Sequence, residues 1–122
     1  MRSAFIGVFI YLLCLIILVI LPVEGVMDAI DDHDLEKFIS YFLHIVIFLP
    51  WSFAGKKFIP KRVLWLICGL LIASGLEVIQ LYLPYRSFNI WDVVTNNIGV
   101  VSGYLLTYLY DRIKFRNKYS RD

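Results

Sequence analysis

Glu77, Gln80, Arg86, Asp92, Asn96 and Asn97 fall within 76–99 of a 122-residue chain, a stretch whose other residues are mostly apolar. Their types suit acid–base and anion chemistry. Arg86 offers a planar fork of donors matched to phosphate or carboxylate. Glu77 and Asp92 are candidate catalytic groups able to take or give a proton, and His44 is a third. Gln80 and Asn96 carry both a donor and an acceptor, and Lys37 adds a cation, so these three join Arg86 as candidate ligand-binding residues.

Spacing sharpens the set. Asp92, Asn96, Gly99 and Gly103 recur at intervals of four, three and four, which on a helix confines them to a stripe roughly 60° wide. Gly99 and Gly103 form a GxxxG, the pattern that lets a second helix backbone approach closely, so their expected role is helix packing. Asn97 points away from this stripe. Glu77 and Gln80, three apart, share one side of their helix with Ser74 a turn further in. Lys37, Ser40, Tyr41, His44 and Phe48 share another face by the same arithmetic.

The elements that must position these groups are membrane spans. The chain is 60% hydrophobic and 18% charged, with a mean hydropathy of +0.73. Soluble domains run nearer half apolar and a quarter charged. Four apolar segments, 4–21, 35–54, 63–84 and 90–110, each approach the roughly 20 residues a helix needs to cross a bilayer core. The first is longer than the apolar part of a signal peptide and has no A-x-A site after it, so it reads as a retained span. The expectation is an all-α, four-helix transmembrane bundle, one membrane domain over 1–122, with short loops.

Charge orients it. The segment 22–34 holds Glu24, Asp28, Asp31, Asp32 and Asp34 and no Lys or Arg. The segment 55–62 holds Lys56, Lys57, Lys61 and Arg62, and the tail holds Arg112, Lys114, Arg116, Lys118 and Arg121. Short basic segments stay cytoplasmic, which puts both termini inside and 85–89 outside. The tail reads as a topology anchor beside the inner leaflet rather than an anionic-lipid binder or a nucleic-acid arm. Pro50 and Trp51 suggest a kink and an interfacial anchor near the inner end of the second span.

At 1.5 Å per residue, Glu77 lies roughly 10 Å below the outer end of its helix, Asn96 about 9 Å and His44 about 13 Å. Three spans therefore offer a polar group at one level, with Arg86 above them. A buried carboxylate costs at least about 2.5 kcal/mol to insert, so it is expected to face the bundle interior. Cys14 and Cys68 lie in apolar runs with no CxxC partner or nearby His; they read as small apolar fillers, and no metal and no cofactor are expected.

Three motifs taken together, Glu77-x-x-Gln80, Pro84-x-Arg86 and Asp92-x-x-x-Asn96-x-x-Gly99-x-x-x-Gly103, resemble the VanZ-like family of small bacterial membrane proteins. The resemblance covers 35–110. That family tends to carry Lys-x-x-His-Phe-x-x-Tyr on the second span. Here Lys37 matches, but Ser40, Tyr41 and His44 stand at the other three positions, leaving a histidine one turn deeper on the same face. The resemblance implies a multi-pass protein of the bacterial cytoplasmic membrane, and its namesake is associated with teicoplanin resistance. Some members bear a phosphotransbutyrylase label, but no phosphate-cradling Gly-rich loop supports it here.

The leading expectation is an outward-facing polar pocket that binds or modifies an envelope lipid or a lipid-linked peptidoglycan precursor. Its rival is a non-catalytic accessory in which the polar cluster clamps the helices and the partner is an envelope protein or a second copy of the chain. A transporter is disfavoured, because 63–71 and 104–110 offer no buried charge.

Overall fold

The computed structural model describes residues 2–20, 33–55 and 61–119, and among these every regular element is a helix. In chain order they are α1 (Arg2–Ile20), α2 (His33–Phe48), α3 (Trp51–Gly55), α4 (Arg62–Gln80) and α5 (Ile90–Tyr119). The fold is an all-α bundle, with α3 a single turn continuing α2. The acidic residues Glu24 to Asp32, Lys56 and Lys57, and Arg121 lie outside the described residues, so the charge argument for orientation rests there on sequence alone.

Local chemistry explains the element ends. Asp34 and Glu36 sit in the first turn of α2, where a carboxylate meets the positive end of the helix dipole. Pro50 disfavours helical backbone at Leu49, so the second apolar segment breaks into α2 and α3. The Pro50 carbonyl then accepts from the amides of Phe53 and Ala54 at 3.1 and 3.0 Å, starting the new turn. The third segment ends at Gln80, four residues short of the expected 84. Pro84 forbids continuation through Leu83, and the amides of Leu81, Tyr82 and Leu83 close tight turns onto Val78, Ile79 and Gln80. Residues 86–89 are thereby released as a strap between α4 and α5. Asn89 caps α5, its side-chain oxygen accepting from the Trp91 amide at 3.0 Å. The fourth segment overshoots its expected end at 110: α5 has 30 residues and carries Arg112 to Lys118 on its last turns.

Outside and inside are inverted relative to a water-soluble domain. Phe9, Phe38 and Leu71 are 67%, 68% and 68% exposed, and large apolar side chains line the outer faces of every long helix. The buried set contains Leu15, Phe48, Ala73 and Val100, but also Glu77, Gln80, Thr95, Asn96 and Thr107. Two helical stretches, His33–Gly55 and Arg62–Gln80, are long and apolar enough to cross a membrane, and Phe5–Leu18 is a shorter apolar helix.

Trp51 departs from expectation. It is 2% exposed rather than interfacial. Its ring stacks on Trp65 with centroids 4.4 Å apart and planes 6° from parallel. Each indole N–H donates to the other residue's carbonyl, at 3.0 and 2.7 Å. A buried indole needs an acceptor for its N–H as well as a place for its apolar ring, and here the reciprocal bonds and the stacking meet both needs inside. Tyr11 ties α1 to the same break, donating to the Ile47 carbonyl at 2.6 Å. Cys68 is half-buried, whereas Cys14 is exposed on α1 instead of filling the interior; both are free.

The packing that matters for the site is α2 against α5. A methyl group on Gly99 would lie 2.5 Å from the Ile45 carbonyl oxygen, and one on Gly103 would collide with the Leu49 carbonyl. Such contact requires hydrogen at both positions. His44 precedes Ile45, and Asn96 lies one turn before Gly99. The close approach therefore brings those two side chains within reach of each other.

Candidate functional site

Five elements meet at one end of the bundle: α2, the end of α4, the turns and strap over 81–89, the start of α5 and, through Leu18, α1. Between them lies a cavity of about 430 Å³, walled by Leu18, Tyr41 and Ile47 on one side and edged by His33 and Glu36. Lys37, His44, Gln80, Arg86 and Asp92 reach it. Glu77 does not line it. That carboxylate is 1% exposed and sits behind the others.

A chain of hydrogen bonds crosses three helices. Asn96 Nδ2 donates to Glu77 Oε1 at 2.8 Å. With its nitrogen thus engaged, Asn96 presents Oδ1 to His44 Nδ1, 2.8 Å away. A carbonyl oxygen can only accept, so His44 carries a proton on Nδ1. On the other side of Glu77, the Gln80 amide is oriented with its nitrogen donating to Glu77 Oε2 at 2.9 Å and its oxygen accepting from Arg86 Nη2 at 3.0 Å. Both oxygens of Glu77 therefore act as acceptors, and the acid orients an amide on either flank. Its position is that of a hub rather than a contact residue.

The far side of the imidazole faces the cavity. His44 Nε2 lies 3.8 Å from Asp92 Oδ1, beyond hydrogen-bond range. Asn89 Nδ2 donates to the same carboxylate oxygen at 3.3 Å. Asp92 sits in the first turn of α5, where the helix dipole favours negative charge. A ligand hydroxyl entering between Nε2 and Oδ1 would find the Asp92 carboxylate as an acceptor and the imidazole as a second polar partner. Arg86 closes the cavity from the strap. Its Nη2 is held by Gln80, but its Nε is buried and has no hydrogen-bond partner among the described residues. An unsatisfied buried donor on a cation is unfavourable, and an anion is the group that would satisfy it.

The structure thus brings together His44, Glu77, Gln80, Arg86, Asp92 and Asn96, with Lys37 on the cavity wall. Gly99 and Gly103 lie below, in the helix interface. Asn97, directed away from the stripe, is not idle: Nδ2 donates to Ser74 Oγ at 3.1 Å and to the Val93 carbonyl at 2.9 Å, linking α5 to α4. Asn89 is the contributor that sequence reasoning missed. Its position just before the α5 run, in the N-cap slot, is the signal that marks it. Among the described residues no group of three or more His, Cys, Asp and Glu side chains is disposed to hold a metal ion.

The chain matches a family model described as VanZ/LLP1 over residues 8–111. It is also similar to a protein of Schizosaccharomyces pombe named only as uncharacterized, 30% identical over 83 residues, which are 68% of this chain and 50% of that protein. The chain spans about half the length of that curated relative. No solved structure matches it.

Proposed function

We propose, taking as premise that the chain belongs to the VanZ/LLP1 family, that it is a multi-pass membrane protein whose cavity binds the anionic, hydroxyl-bearing headgroup of an envelope lipid or of a lipid-linked precursor. The observation that carries this reading is the pairing of unmet needs in one space. Arg86 Nε is a buried donor without a partner among the described residues, Lys37 adds a second cation, and His44 Nε2 stands 3.8 Å from Asp92 Oδ1, too far for a direct hydrogen bond. A phosphate answers the first two and a headgroup hydroxyl the third. The apolar outer surface of the helices supports immersion in a bilayer, with the cavity at the outer headgroup level, cytoplasmic termini and, for a bacterial chain, the cytoplasmic membrane as its place. Sequestering or altering such a precursor is the route by which a contribution to teicoplanin-type resistance would arise.

In this reading Arg86 and Lys37 hold the anion, and His44 and Asp92 are the groups placed to touch a hydroxyl and move its proton. Glu77 acts through Asn96 and Gln80 as a positioning residue. The alternative, a non-catalytic accessory protein, draws on one specific observation: the chain from Arg86 through Glu77 to His44 also clamps three elements together.

Mass spectrometry of lipid co-purified with the chain in mild detergent tests the proposal. Wild type is expected to retain an anionic lipid. Arg86→Lys, which keeps the charge but loses the fork, is expected to retain it about tenfold less tightly. Equal retention by wild type, Arg86→Lys and Arg86→Gln overturns the ligand reading and leaves the clamp.

A further inference from the structure

The opposite end of the bundle holds a second cavity, about 220 Å³, between α3, the start of α4 and the later turns of α5. In the sequence, 63–71 and 104–110 offer no buried charge, and Ser52, a lone serine at the end of the second apolar segment, carries no signal of its own. Tertiary packing makes Ser52 informative. It is 5% exposed, lines this cavity, and its Oγ has no hydrogen-bond partner among the described residues. Serine in a helix interior commonly bonds back to the carbonyl four residues earlier. Ser52 begins a new turn just after the Pro50 break, and no such bond forms. The other aliphatic hydroxyl in the wall, that of Thr107, is engaged, donating to the Gly103 carbonyl at 2.7 Å.

The remaining walls are aromatic, from Trp65, Tyr104 and Tyr108, and Arg62 stands among the lining residues. Arg62 Nη2 is held by Asp111 Oδ2 at 2.7 Å, which fixes the guanidinium beside the cavity. Arg62 also borders a shallow depression on the far side, lined by Lys114 and Lys118. The cavity therefore combines a buried donor unmatched among the described residues with aromatic walls, and Arg62 joins it to a second depression that carries Lys114 and Lys118 beside Asp111. Allowing roughly 30 Å³ for each water-sized group, it admits the glycerol-ester portion of a lipid and the first carbons of a chain, not a whole lipid.

We propose that this end of the bundle is a binding site for an anionic glycerophospholipid of the adjoining leaflet. Ser52 Oγ donates to an ester carbonyl, the aromatic walls cover the upper acyl chain, and Arg62, Lys114 and Lys118 receive the phosphate and headgroup charge. The site is separate from the Arg86 cavity and uses none of its residues.

The chain has three tryptophans, two of them here and Trp91 at the other end. In a Trp91→Phe background, fluorescence therefore reports on Trp51 and Trp65 alone. The protein is reconstituted into phosphatidylcholine vesicles containing dibrominated phosphatidylglycerol or dibrominated phosphatidylcholine at equal mole fraction. The brominated phosphatidylglycerol is expected to quench about tenfold more effectively, with unbrominated phosphatidylglycerol reversing the effect. Arg62→Gln is expected to erase the headgroup preference, and Ser52→Ala to weaken quenching about threefold with the preference retained. Asp111→Asn removes the charge competing for Arg62 and is expected to strengthen it, which also controls for loss of the interhelical ion pair. Arg86→Gln is expected to change nothing here, so failure of the outer site and failure of this one are distinguishable. Quenching that follows mole fraction regardless of headgroup, or that is identical in Arg62→Gln and Ser52→Ala, overturns the proposal.

Discussion

Replacing Glu77 by Gln disturbs a chain of hydrogen bonds whose donors and acceptors have one consistent assignment. Arg86 donates to Gln80, Gln80 and Asn96 both donate to Glu77, and His44 donates to Asn96. An amide at position 77 turns one of the two acceptors into a donor. If the new N–H₂ faces Gln80, that amide must turn, and its nitrogen then meets the Arg86 guanidinium. One buried donor is left unmatched, at about 1–3 kcal/mol. If it faces Asn96, that side chain turns its nitrogen toward His44 Nδ1, and the conflict vanishes once the imidazole moves its proton to Nε2. The second route leaves nothing unmatched, so it wins. Glu77→Gln is expected to fold with less than about 1 kcal/mol lost while inverting the nitrogen that His44 shows to the cavity. Glu77→Ala has no such escape. It strands the donors of both Gln80 and Asn96, roughly 2–6 kcal/mol together at the same rate. Nitrogen-15 NMR of the histidine-labelled protein in detergent, where only His33 and His44 contribute, reads the tautomer, and denaturant titration reads the stability. A wild-type His44 protonated at Nε2 alone refutes the reasoning. So does a Glu77→Gln variant that keeps the Nδ1 proton, or a Glu77→Ala variant as stable as wild type.

Three further outcomes are expected. Gly103→Ala places a methyl group against the Leu49 carbonyl and is expected to cost about 1–3 kcal/mol by overpacking, measured by the same titration; an unchanged midpoint refutes the close α2–α5 approach. Asp92→Asn removes the carboxylate that faces His44 Nε2 at 3.8 Å and is proposed to accept from the headgroup hydroxyl, so it is expected to weaken retention of the anionic lipid severalfold; unchanged or tighter retention removes Asp92 from the ligand contacts. In a Cys14→Ser, Cys68→Ser background, Ser87→Cys on the strap is expected to react with an impermeant maleimide added outside the cell; protection there, with labelling only after lysis, places the cavity on the cytoplasmic side.

Much of this protein is decided by residue order alone. Apolar run length locates the helices, because a span must satisfy its own backbone and present hydrocarbon outward. The intervals between Asp92, Asn96, Gly99 and Gly103 decide which face of α5 turns inward, since helical geometry has a set angle per residue. What residue order leaves open is everything that depends on reach between helices. That Glu77 stands behind the cavity while Arg86 and His44 line it follows from how nearly α2 approaches α5 over two glycines. The end of α4 at Gln80 came from Pro84 acting backwards through the turns before it, which lowered Arg86 onto the cluster. Trp51 was drawn inside by Trp65, fourteen residues away, and Ser52, where the helix restarts, is left without a partner among the described residues. Periodicity is a property of one helix; hydrogen-bond partners and cavities are properties of several, and they exist only once the backbones have closed.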